Sequence, residues 1–394
     1  MNDLSQRLAH EADQFTRRGG TELELGQVLE RAGEIRRGRR MRATLLMAAC
    51  VLAIAVPTVL VATQRDTTHE PSPAPAPKID HTAITLDHLK TGAKPKTGWV
   101  QGTVWHGPDG QEFTWTNGRA SAVATVGTST LLALDEGNGG MRATLTPPAS
   151  GAAQSVTSWP MEGGFAVSPH DDVAAFVKPD GTPVLVAEGD TRELGRVPTG
   201  AGFTVAAITG TDCTRSNLSG CTVWVNSQGS RPAVWVANAD GPTRKVDTGQ
   251  RQVADVDAHQ RTLGIVSVSD TGSCSTAEVI GGGPPLWKTC DHAPLSFSPD
   301  AQHVVATAAY RDGAGDSELA VLDSSTGKVR LDLTTAKGAF ITQIMWEDDE
   351  HLLVAVGERQ RNAVLRIGLD GRREYAVAPV TGDPYESPFV LPSH

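Results

Sequence analysis

The chain has 394 residues, with 35 Lys and Arg against 45 Asp and Glu, and a formal net charge of −10. Apolar residues make up 39% and charged residues 20%, a composition that excludes a collagen-like or wholly disordered chain. The acidic balance also excludes a general nucleic-acid binder, which is normally basic, so no nucleic-acid partner is expected. The charge is uneven along the chain, because residues 1–42 carry +2 and the remainder carries −12.

Residues 1–42 predict a short helical tail on the cytoplasmic side. Leu4 and Leu8 begin one apolar stripe at helical spacing, and Thr21-x-x-Glu24 is a capping box that precedes a second stripe. Two helices of this length cannot bury a core alone, so their apolar faces need each other, the bilayer surface or a partner. The alternative is a tail whose Arg cluster only sets orientation and contacts anionic lipid.

Residues 43–64 form a run of 22 residues without a charge. As a helix rising about 1.5 Å per residue, this run crosses a hydrocarbon core of about 30 Å, so it predicts one transmembrane helix. Five Arg between residues 36 and 42 precede it, and positive flanks stay in the cytoplasm, which places everything after Gln64 outside. A signal peptide cleaved after Ala62 is the alternative.

Residues 65–97 predict an extracytoplasmic linker. The run PSPAPAP at 71–77 favours extended polyproline II, at about 3.1 Å per residue, and such a run does not form a packed core. The linker is therefore expected to act as a stalk that holds the next domain away from the bilayer.

The cysteines agree with an exported domain. Of five cysteines, Cys50 lies in the predicted span, and Cys213, Cys221, Cys274 and Cys290 all follow it. An even set outside the membrane predicts two disulfides in an oxidising compartment, and of the three pairings we favour the nearest neighbours, 213 with 221 and 274 with 290. Four buried free thiols are the alternative. A zinc site is disfavoured, because the cysteine spacings lack the short ligand pair that such sites use.

Residues 98–394 contain a repeat of short β-rich runs between Gly, Pro, Asp and Asn clusters. Each repeat has a strand that ends just before an acidic or Ser-Pro turn, and successive ends are 42, 40, 49, 41 and 49 residues apart. This period matches the roughly 40 to 50 residues of a propeller blade, and hairpins follow the first strand in most repeats. We therefore predict an all-β fold, a β-propeller, whose first strands end near Thr125, Val167, Ala207, Val256, Phe297 and Trp346.

One hairpin remains unassigned to a complete repeat. Residues 99–115 match the last two strands of a blade, and Phe389 and Val390 match a first strand with nothing after it. We expect the C-terminal strand to join the N-terminal hairpin in a split closing blade, which removes exposed sheet edges. This arrangement predicts seven blades, with six as the alternative, and a β-sandwich is the competing architecture.

Three short motifs carry a resemblance to known families. They are Phe-Ser-Pro-Asp at 297–300, Val-Ser-Pro-His at 167–170 and Asp-Ser-Ser-Thr-Gly-Lys at 323–328. These motifs are similar to blade turns of TolB-like and WD-repeat propellers. The layout of Arg-rich tail, span, Pro-rich stalk and exported domain resembles that of single-pass membrane proteins of high-GC actinobacteria. The resemblance implies a propeller ectodomain, and for some short-tailed proteins of this kind it implies regulation of a sigma factor.

No motif of a known catalytic or cofactor site is present. The chain lacks a G-x-S-x-G elbow, an H-E-x-x-H zinc helix and a phosphate loop, so we predict no catalytic residue, no metal and no cofactor. The best candidates for a polar site on the rim follow equivalent first strands, where their carboxylates suit a cationic group, although Asp in such places also caps tight turns. These candidates are His170, Asp171, Asp172, Asp348, Asp349 and Glu350.

Two functional hypotheses follow from these features. The first is a non-catalytic, membrane-anchored extracytoplasmic propeller that binds or scaffolds a protein, peptide or glycan at the cell envelope. The second is an anti-sigma-like transmembrane signalling regulator, in which the state of the exported domain changes the availability of the tail to a cytoplasmic sigma factor or similar regulator. An exported enzyme is a third and less favoured reading.

Overall fold

The structure is a computed structural model, and it is described from residue 83 onward. Among the residues it describes, no helix is both long enough and apolar enough to cross a membrane. The predicted tail 1–42, the predicted span 43–64 and the first part of the predicted linker lie outside the described residues. The description covers residues 83–393 apart from 117, 138, 147–156, 199–200, 230 and 311–314.

The described residues form 27 strands and one 3-10 helix, Leu218–Gly220. The strands of the first half are β1 (Trp99–Gln101), β2 (Val104–His106), β3 (Glu112–Thr114), β4 (Ala120–Val126), β5 (Ser129–Asp135), β6 (Met141–Thr146), β7 (Thr157–Val167), β8 (Val173–Val177), β9 (Pro183–Ala187), β10 (Asp190–Glu193), β11 (Ala201–Thr209), β12 (Thr222–Gln228), β13 (Ala233–Asn238) and β14 (Arg244–Lys245). Those of the second half are β15 (Gln252–Val256), β16 (Arg261–Ser269), β17 (Gly272–Val279), β18 (Trp287–Thr289), β19 (His292–Phe297), β20 (His303–Ala308), β21 (Glu318–Asp323), β22 (Val329–Thr334), β23 (Ala339–Trp346), β24 (His351–Glu358), β25 (Arg361–Gly368), β26 (Arg373–Thr381) and β27 (Phe389–Val390).

These strands form antiparallel sheets that follow one another along the chain, as in a β-propeller. Four sheets have four consecutive strands each: β11 to β14, β15 to β18, β19 to β22 and β23 to β26. Strands β4 to β10 form one seven-stranded sheet, and the remaining sheet has the order β27-β1-β2-β3. The all-β propeller predicted from the repeat is therefore confirmed.

The last described strand pairs with the first. Val390 lies opposite Val100 and Phe389 lies opposite Gln101, in antiparallel register. The N-terminal hairpin thus receives its missing inner strand from the C-terminus, as the sequence predicted. This pairing removes the two free edges that the incomplete repeats would otherwise expose.

The first strand of each of these six repeats ends at the predicted residue or within two residues of it. Val167, Val256, Phe297 and Trp346 are the last residues of β7, β15, β19 and β23. The other two predicted positions lie one and two residues before the ends of β4 and β11. The position of each strand end was readable because a tight turn of Ser, Pro, Asp or Gly follows it.

The second and third strands are buried on both faces, and the outer strands are not. All five residues of β8 and all five of β9 are buried, while β10, which ends the same sheet, is mostly exposed. Strands covered on both faces need continuous apolar sequence, which Val173–Val177 and Pro183–Ala187 supply. The polar fourth strand is consistent with a sheet edge that faces water.

The apolar core is divided among the interfaces between neighbouring repeats. The described residues contain seven clusters of buried side chains, each drawn from two consecutive repeats. Phe176 belongs to the cluster between β4–β6 and β8–β9, and Leu263 to the one between β15–β18 and β19–β22. The stability of the ring therefore depends on contacts between repeats as well as on the strands within each one.

Both disulfides have the predicted pairing. Cys213 is bonded to Cys221, at a sequence separation of 8, and Cys274 is bonded to Cys290, at a separation of 16. The first closes the connection between β11 and β12, and the second joins β17 to the residue that follows β18. Each disulfide is local, so each restrains one loop and neither links distant parts of the ring.

The predicted linker is corrected for residues 83–97, which we call the strap. Ile84 and Leu86 are 0% and 1% exposed and belong to the cluster between β19–β22 and β23–β26. Ile84 N–H donates to the Thr334 carbonyl at 2.6 Å, and its carbonyl accepts from Ala336 N–H at 2.8 Å. The Pro-rich run upstream gave no sign of this packing. The apolar side chains of the strap are stabilised more by burial against two sheets than by exposure to water in an extended stalk.

Charged groups of the β23–β26 sheet hold the strap. The carboxylate of Glu358, which is 2% exposed, accepts from Leu86 N–H at 2.7 Å. Arg366 donates to the carbonyls of Ala93 and Lys94, each at 3.0 Å. These bonds satisfy strap backbone groups that no strand pairs, which burial of the segment requires.

Disulfide removal is expected to destabilise the ring, and somewhat more where the closed loop is longer. Replacing Cys213 and Cys221 by Ser should lower the free energy of unfolding by about 2 kcal/mol, and replacing Cys274 and Cys290 by about 3 kcal/mol. Denaturant unfolding followed by tryptophan fluorescence measures both losses. Alkylation of the native protein without reductant gives the control, and four reactive thiols there would contradict the pairing.

The packing of the strap predicts a second stability effect. Leu86→Ala should lower the free energy of unfolding by about 2 to 5 kcal/mol, because the side chain is fully buried and its loss leaves a cavity between two sheets. Lys90→Ala, at an exposed strap position, is the matched control and should change the value by less than about 0.5 kcal/mol. Equal stability of the two variants would show that the strap is not packed.

Candidate functional site

Turns between first and second strands share one design on one face of the ring. In the β7–β8 turn, Ser168 N–H donates to the Val173 carbonyl at 2.8 Å, and Asp171 N–H donates to the Ser168 carbonyl at 2.9 Å. The β19–β20 turn repeats this with Ser298 and Ala301. Asp171 and Ala301 both have positive φ, 55° and 57°, where the chain reverses. The Ser-Pro motifs therefore encode turn geometry.

The predicted rim carboxylates connect neighbouring turns. Asp172 accepts from the Ser168 hydroxyl at 2.9 Å and, across to the β11–β12 connection, from Arg215 N–H at 3.0 Å. Asp349 accepts from Asp300 N–H of the preceding sheet at 2.9 Å. These two side chains contribute to the packing of adjacent repeats at this face.

Asp348 connects the β23–β24 turn to the strap. It forms an ion pair with Lys96 at 2.5 Å and accepts from Glu350 N–H at 2.9 Å, and His351 Nδ1 lies 2.8 Å from its Oδ1. Burial by itself would raise the pKa of this carboxyl, but the hydrogen bonds from Lys96, Glu350 and His351 outweigh it and hold the pKa well below its ordinary value. Asp348 is therefore charged and already has partners.

The structure does not bring the six predicted rim residues together. His170, Asp171 and Asp172 lie on the β7–β8 turn, and the other three lie on the β23–β24 turn of a sheet further around the ring. Within the described ranges, no three His, Cys, Asp or Glu side chains are grouped as a metal ion would require. A joint polar site at this rim stays a prediction that the contacts do not support.

The Asp-Ser-Ser-Thr-Gly-Lys motif forms the hairpin turn between β21 and β22. Asp323 accepts from the N–H groups of Ser325 and Thr326 and from the Thr326 hydroxyl, and it forms an ion pair with Arg330 at 2.7 Å. The hydrogen bond from Arg330 and those from Thr326 lower the pKa of Asp323 to about 2, against the effect of partial burial. This motif is a side-chain-stabilised turn.

The first strands surround the central channel and share a bulge. Six of them, β4, β7, β11, β15, β19 and β23, show a register shift against their second strand. A bulge adds a residue and bends the strand, so side chains there are re-aimed. The residues around these shifts are small or polar in most cases, among them Ser121, Gly163, Ala206, Ala254 and Thr342.

Polar side chains of the first strands bond to the backbone of the next repeat. Glu162 accepts from Phe203 N–H at 3.0 Å, and Asp255 accepts from Phe297 N–H at 2.8 Å. Gln343 Oε1 accepts in the same way from Leu391 N–H at 2.6 Å. These bonds satisfy backbone donors that the bulged strands leave unpaired, and they fix the spacing of neighbouring repeats.

A cavity of about 340 Å³ opens where the channel meets the face opposite the Ser-Pro turns. It lies between the beginnings of β4 and β23 and the connection before β27, which are first strands of three neighbouring repeats. Its polar side chains have both charge signs and both hydrogen-bond roles. They are Arg119, Ser121, Asp135, Thr342, Gln343 and Ser387.

An aromatic pair borders this cavity. Tyr385 is 68% exposed and stacks on Phe340, with ring centroids 4.9 Å apart and planes within 18°. Ligand pockets are typically lined by aromatic side chains together with a few polar groups. The channel mouth therefore combines an aromatic platform with convergent polar groups.

A second, larger cavity of about 700 Å³ lies between the strap and the last strands of the β23–β26 sheet. Its charged groups largely pair with each other or with backbone: Arg366 with Glu374 at 2.7 Å and Arg372 with Asp370 at 3.2 Å. Arg366 and Arg373 in this cavity also donate to the strap carbonyls of Ala93 and Ala83. The channel mouth is therefore the better candidate for ligand binding.

Three solved structures align with this chain at low identity. A putative TolB from Agrobacterium tumefaciens aligns at 12% identity with a TM-score of 0.41, over 59% of this chain and 88% of that chain. Dihydro-heme d1 dehydrogenase NirN, in complex with DHE, aligns at 13% with a TM-score of 0.43, over 77% and 78%. The Cps50 (Swd1) β-propeller domain of Myceliophteria thermophila aligns at 13% with a TM-score of 0.39, over 57% and 73%. No family model and no curated protein matches the chain.

The residues of the channel mouth were not singled out from the sequence. Arg119, Asp135 and Gln343 are far apart in the chain and belong to no motif. The signal available for Tyr385 was an aromatic residue in an Asp-Pro-Tyr turn just before the closing strand, a position where a polar residue is usual. Only ring closure brings these residues to one cavity.

The burial of Asp255 predicts a pH dependence. Burial raises its pKa to about 6, in spite of the hydrogen bonds from the N–H groups of Phe297 and Val256. An unfolded Asp titrates near pH 4, so the native state binds more protons between about pH 4 and 6, and the contribution of Asp255 to stability falls as pH rises through that window. Asp255→Asn should therefore gain about 2 kcal/mol relative to the native chain between pH 4 and 7. Denaturant unfolding across this range is the measurement, and a constant difference between the two proteins would refute the prediction.

Proposed function

We propose that this protein is a membrane-anchored extracytoplasmic β-propeller that binds a ligand or partner at the cell envelope without catalysing a reaction. The observation that carries the proposal is the channel mouth, where the Tyr385–Phe340 stack meets convergent polar side chains in a cavity of about 340 Å³. Such a combination is typical of recognition sites. Within the described residues the acidic groups on the opposite face have structural contacts instead.

The proposal includes a ring of seven blades. The seven-stranded sheet holds two blades that share β7: its first part, Thr157 to Met161, pairs with β6, and its last part, Ala166 and Val167, pairs with β8. Seven core clusters, one at each interface between consecutive units, support this count. A ring of six blades, the alternative, would count each of the six separate sheets as one blade.

Export and anchoring have support from two independent features. The uncharged run at 43–64 with its Arg-rich flank predicts one span with the N-terminus inside. The two disulfides of the propeller suit an oxidising compartment, since cytosolic proteins rarely keep such bonds. Both features support the proposal that the described residues lie outside the cytoplasm.

A second candidate function is signalling to the cytoplasm, and the strap favours it. The strap is the part of the propeller nearest in sequence to the predicted span, and buried groups of the last sheet hold it. A ligand that changed the packing of this sheet would act on the chain that leads to the tail. A cytoplasmic sigma factor or similar regulator is the partner that this candidate requires.

Topology and partner capture test the first proposal. In a Cys50→Ser background, Asp109→Cys in the exposed β2–β3 turn should react with a membrane-impermeant maleimide in intact cells, and Ser5→Cys in the tail should react only after permeabilisation. Crosslinking from the full chain should then capture an envelope component. The reverse labelling pattern would refute export, and capture of a cytoplasmic regulator through the tail would favour signalling.

A further inference from the structure

We propose that the channel mouth is a carbohydrate subsite, in which a neutral sugar ring lies on Tyr385 and its hydroxyl groups bond to Arg119, Asp135 and Gln343. This inference rests on the proposed binding function and names the ligand class of the same site. Tyr385 is 68% exposed and stacks on Phe340 with one ring face, which leaves the other face for a ligand.

The aromatic pair supplies a flat apolar surface. Phe340 is half-buried and lies nearly parallel to Tyr385, at an interplanar angle of 18°, and the tyrosine ring is 68% exposed. A pyranose ring has a face of C–H groups that packs on such a ring, whereas its equatorial hydroxyls point sideways to polar groups. A prearranged platform lowers the entropy lost on binding.

The polar groups around the platform suit hydroxyls. Gln343 Oε1 is occupied by Leu391 N–H, so its Nε2 is the free end, and among the described residues it has no protein partner. One nitrogen of Arg119 donates to the Ser387 carbonyl at 2.5 Å, and one oxygen of Asp135 accepts from Gly137 N–H at 2.7 Å. Remaining donors and an acceptor therefore converge on the same space, and a sugar hydroxyl is both donor and acceptor.

Charge and size favour a neutral saccharide over an acidic one. The cavity has one guanidinium and one carboxylate, Arg119 and Asp135, so its formal charge is zero. A volume of about 340 Å³ lies at the lower end of ligand pockets, which suits part of an oligosaccharide chain that continues into solvent. An acidic glycan would bring its charge close to the Asp135 carboxylate.

The test is binding of defined oligosaccharides to the full-length protein in detergent. Isothermal titration with cellohexaose, maltohexaose, mannohexaose and chitohexaose, and with an acidic hexagalacturonate for contrast, should show binding of at least one neutral oligosaccharide below about 1 mM. Tyr385→Ala should weaken that binding by about 10-fold or more, because the platform is lost. Gln343→Glu, which keeps the acceptor for Leu391 and removes the free donor, should also weaken it several-fold, by about the effect of one hydrogen bond.

Tyr310→Ala is the matched control, because Tyr310 is also an exposed tyrosine, at 46%, but does not line the cavity. It should leave binding within about twofold, as expected for a surface position outside the cavity. The inference is overturned if no neutral oligosaccharide binds, if only hexagalacturonate binds, or if a tryptic peptide mixture binds in a Tyr385-dependent manner. Capture of an envelope protein in that case would leave the proposed binding function standing without its carbohydrate site.

Discussion

Closure of the ring is the constraint on which the other features depend. The pairing of β27 with β1 brings the two ends of the propeller into one sheet, so that no repeat is left with an open inner edge. Because the core is divided among interfaces between repeats, each interface is complete only when the ring is closed. The bulges of the first strands and the side-chain bonds of Glu162, Asp255 and Gln343 set the spacing that closure requires.

The strap forms further stabilising contacts with the β23–β26 sheet, next to the closing sheet. Arg366, whose side chain is 9% exposed, pairs with the fully buried carboxylate of Glu347 and with Glu374, and it also bonds to strap carbonyls. The hydrogen bonds that Arg366 donates to the Glu347 carboxylate raise the pKa of Arg366 above its ordinary value, so the guanidinium remains charged. A buried charge without its partner is strongly destabilising, and removal of the strap would also leave these groups short of acceptors. The strap is thus an integral part of the propeller.

The two faces of the ring use polar residues differently. On the face of the Ser-Pro turns, carboxylates such as Asp172 and Asp349 bond to backbone donors of neighbouring turns and stabilise the ring. On the opposite face, the Gln343 Nε2 group at the channel mouth has no partner among the described residues, and the Tyr385 ring is 68% exposed. Buried or turn-forming polar groups are normally satisfied, so groups left free around a cavity are the better indication of ligand recognition.

The sequence by itself determined the fold class, the ends of the first strands, the split closing sheet and both disulfides. Each of these depends on local chemistry: strand periodicity, turn residues such as Ser298 and Pro299, and cysteines close enough in sequence to bond within one loop. The position of the strap and the site at the channel mouth were decided only by the tertiary structure. Ile84 and Leu86 are buried by two sheets that lie more than 200 residues later, and Arg119, Gln343 and Tyr385 share a cavity because the ring closes. Contacts between residues so distant in the chain leave no periodic or motif signal, since they depend on how whole sheets are arranged around the axis.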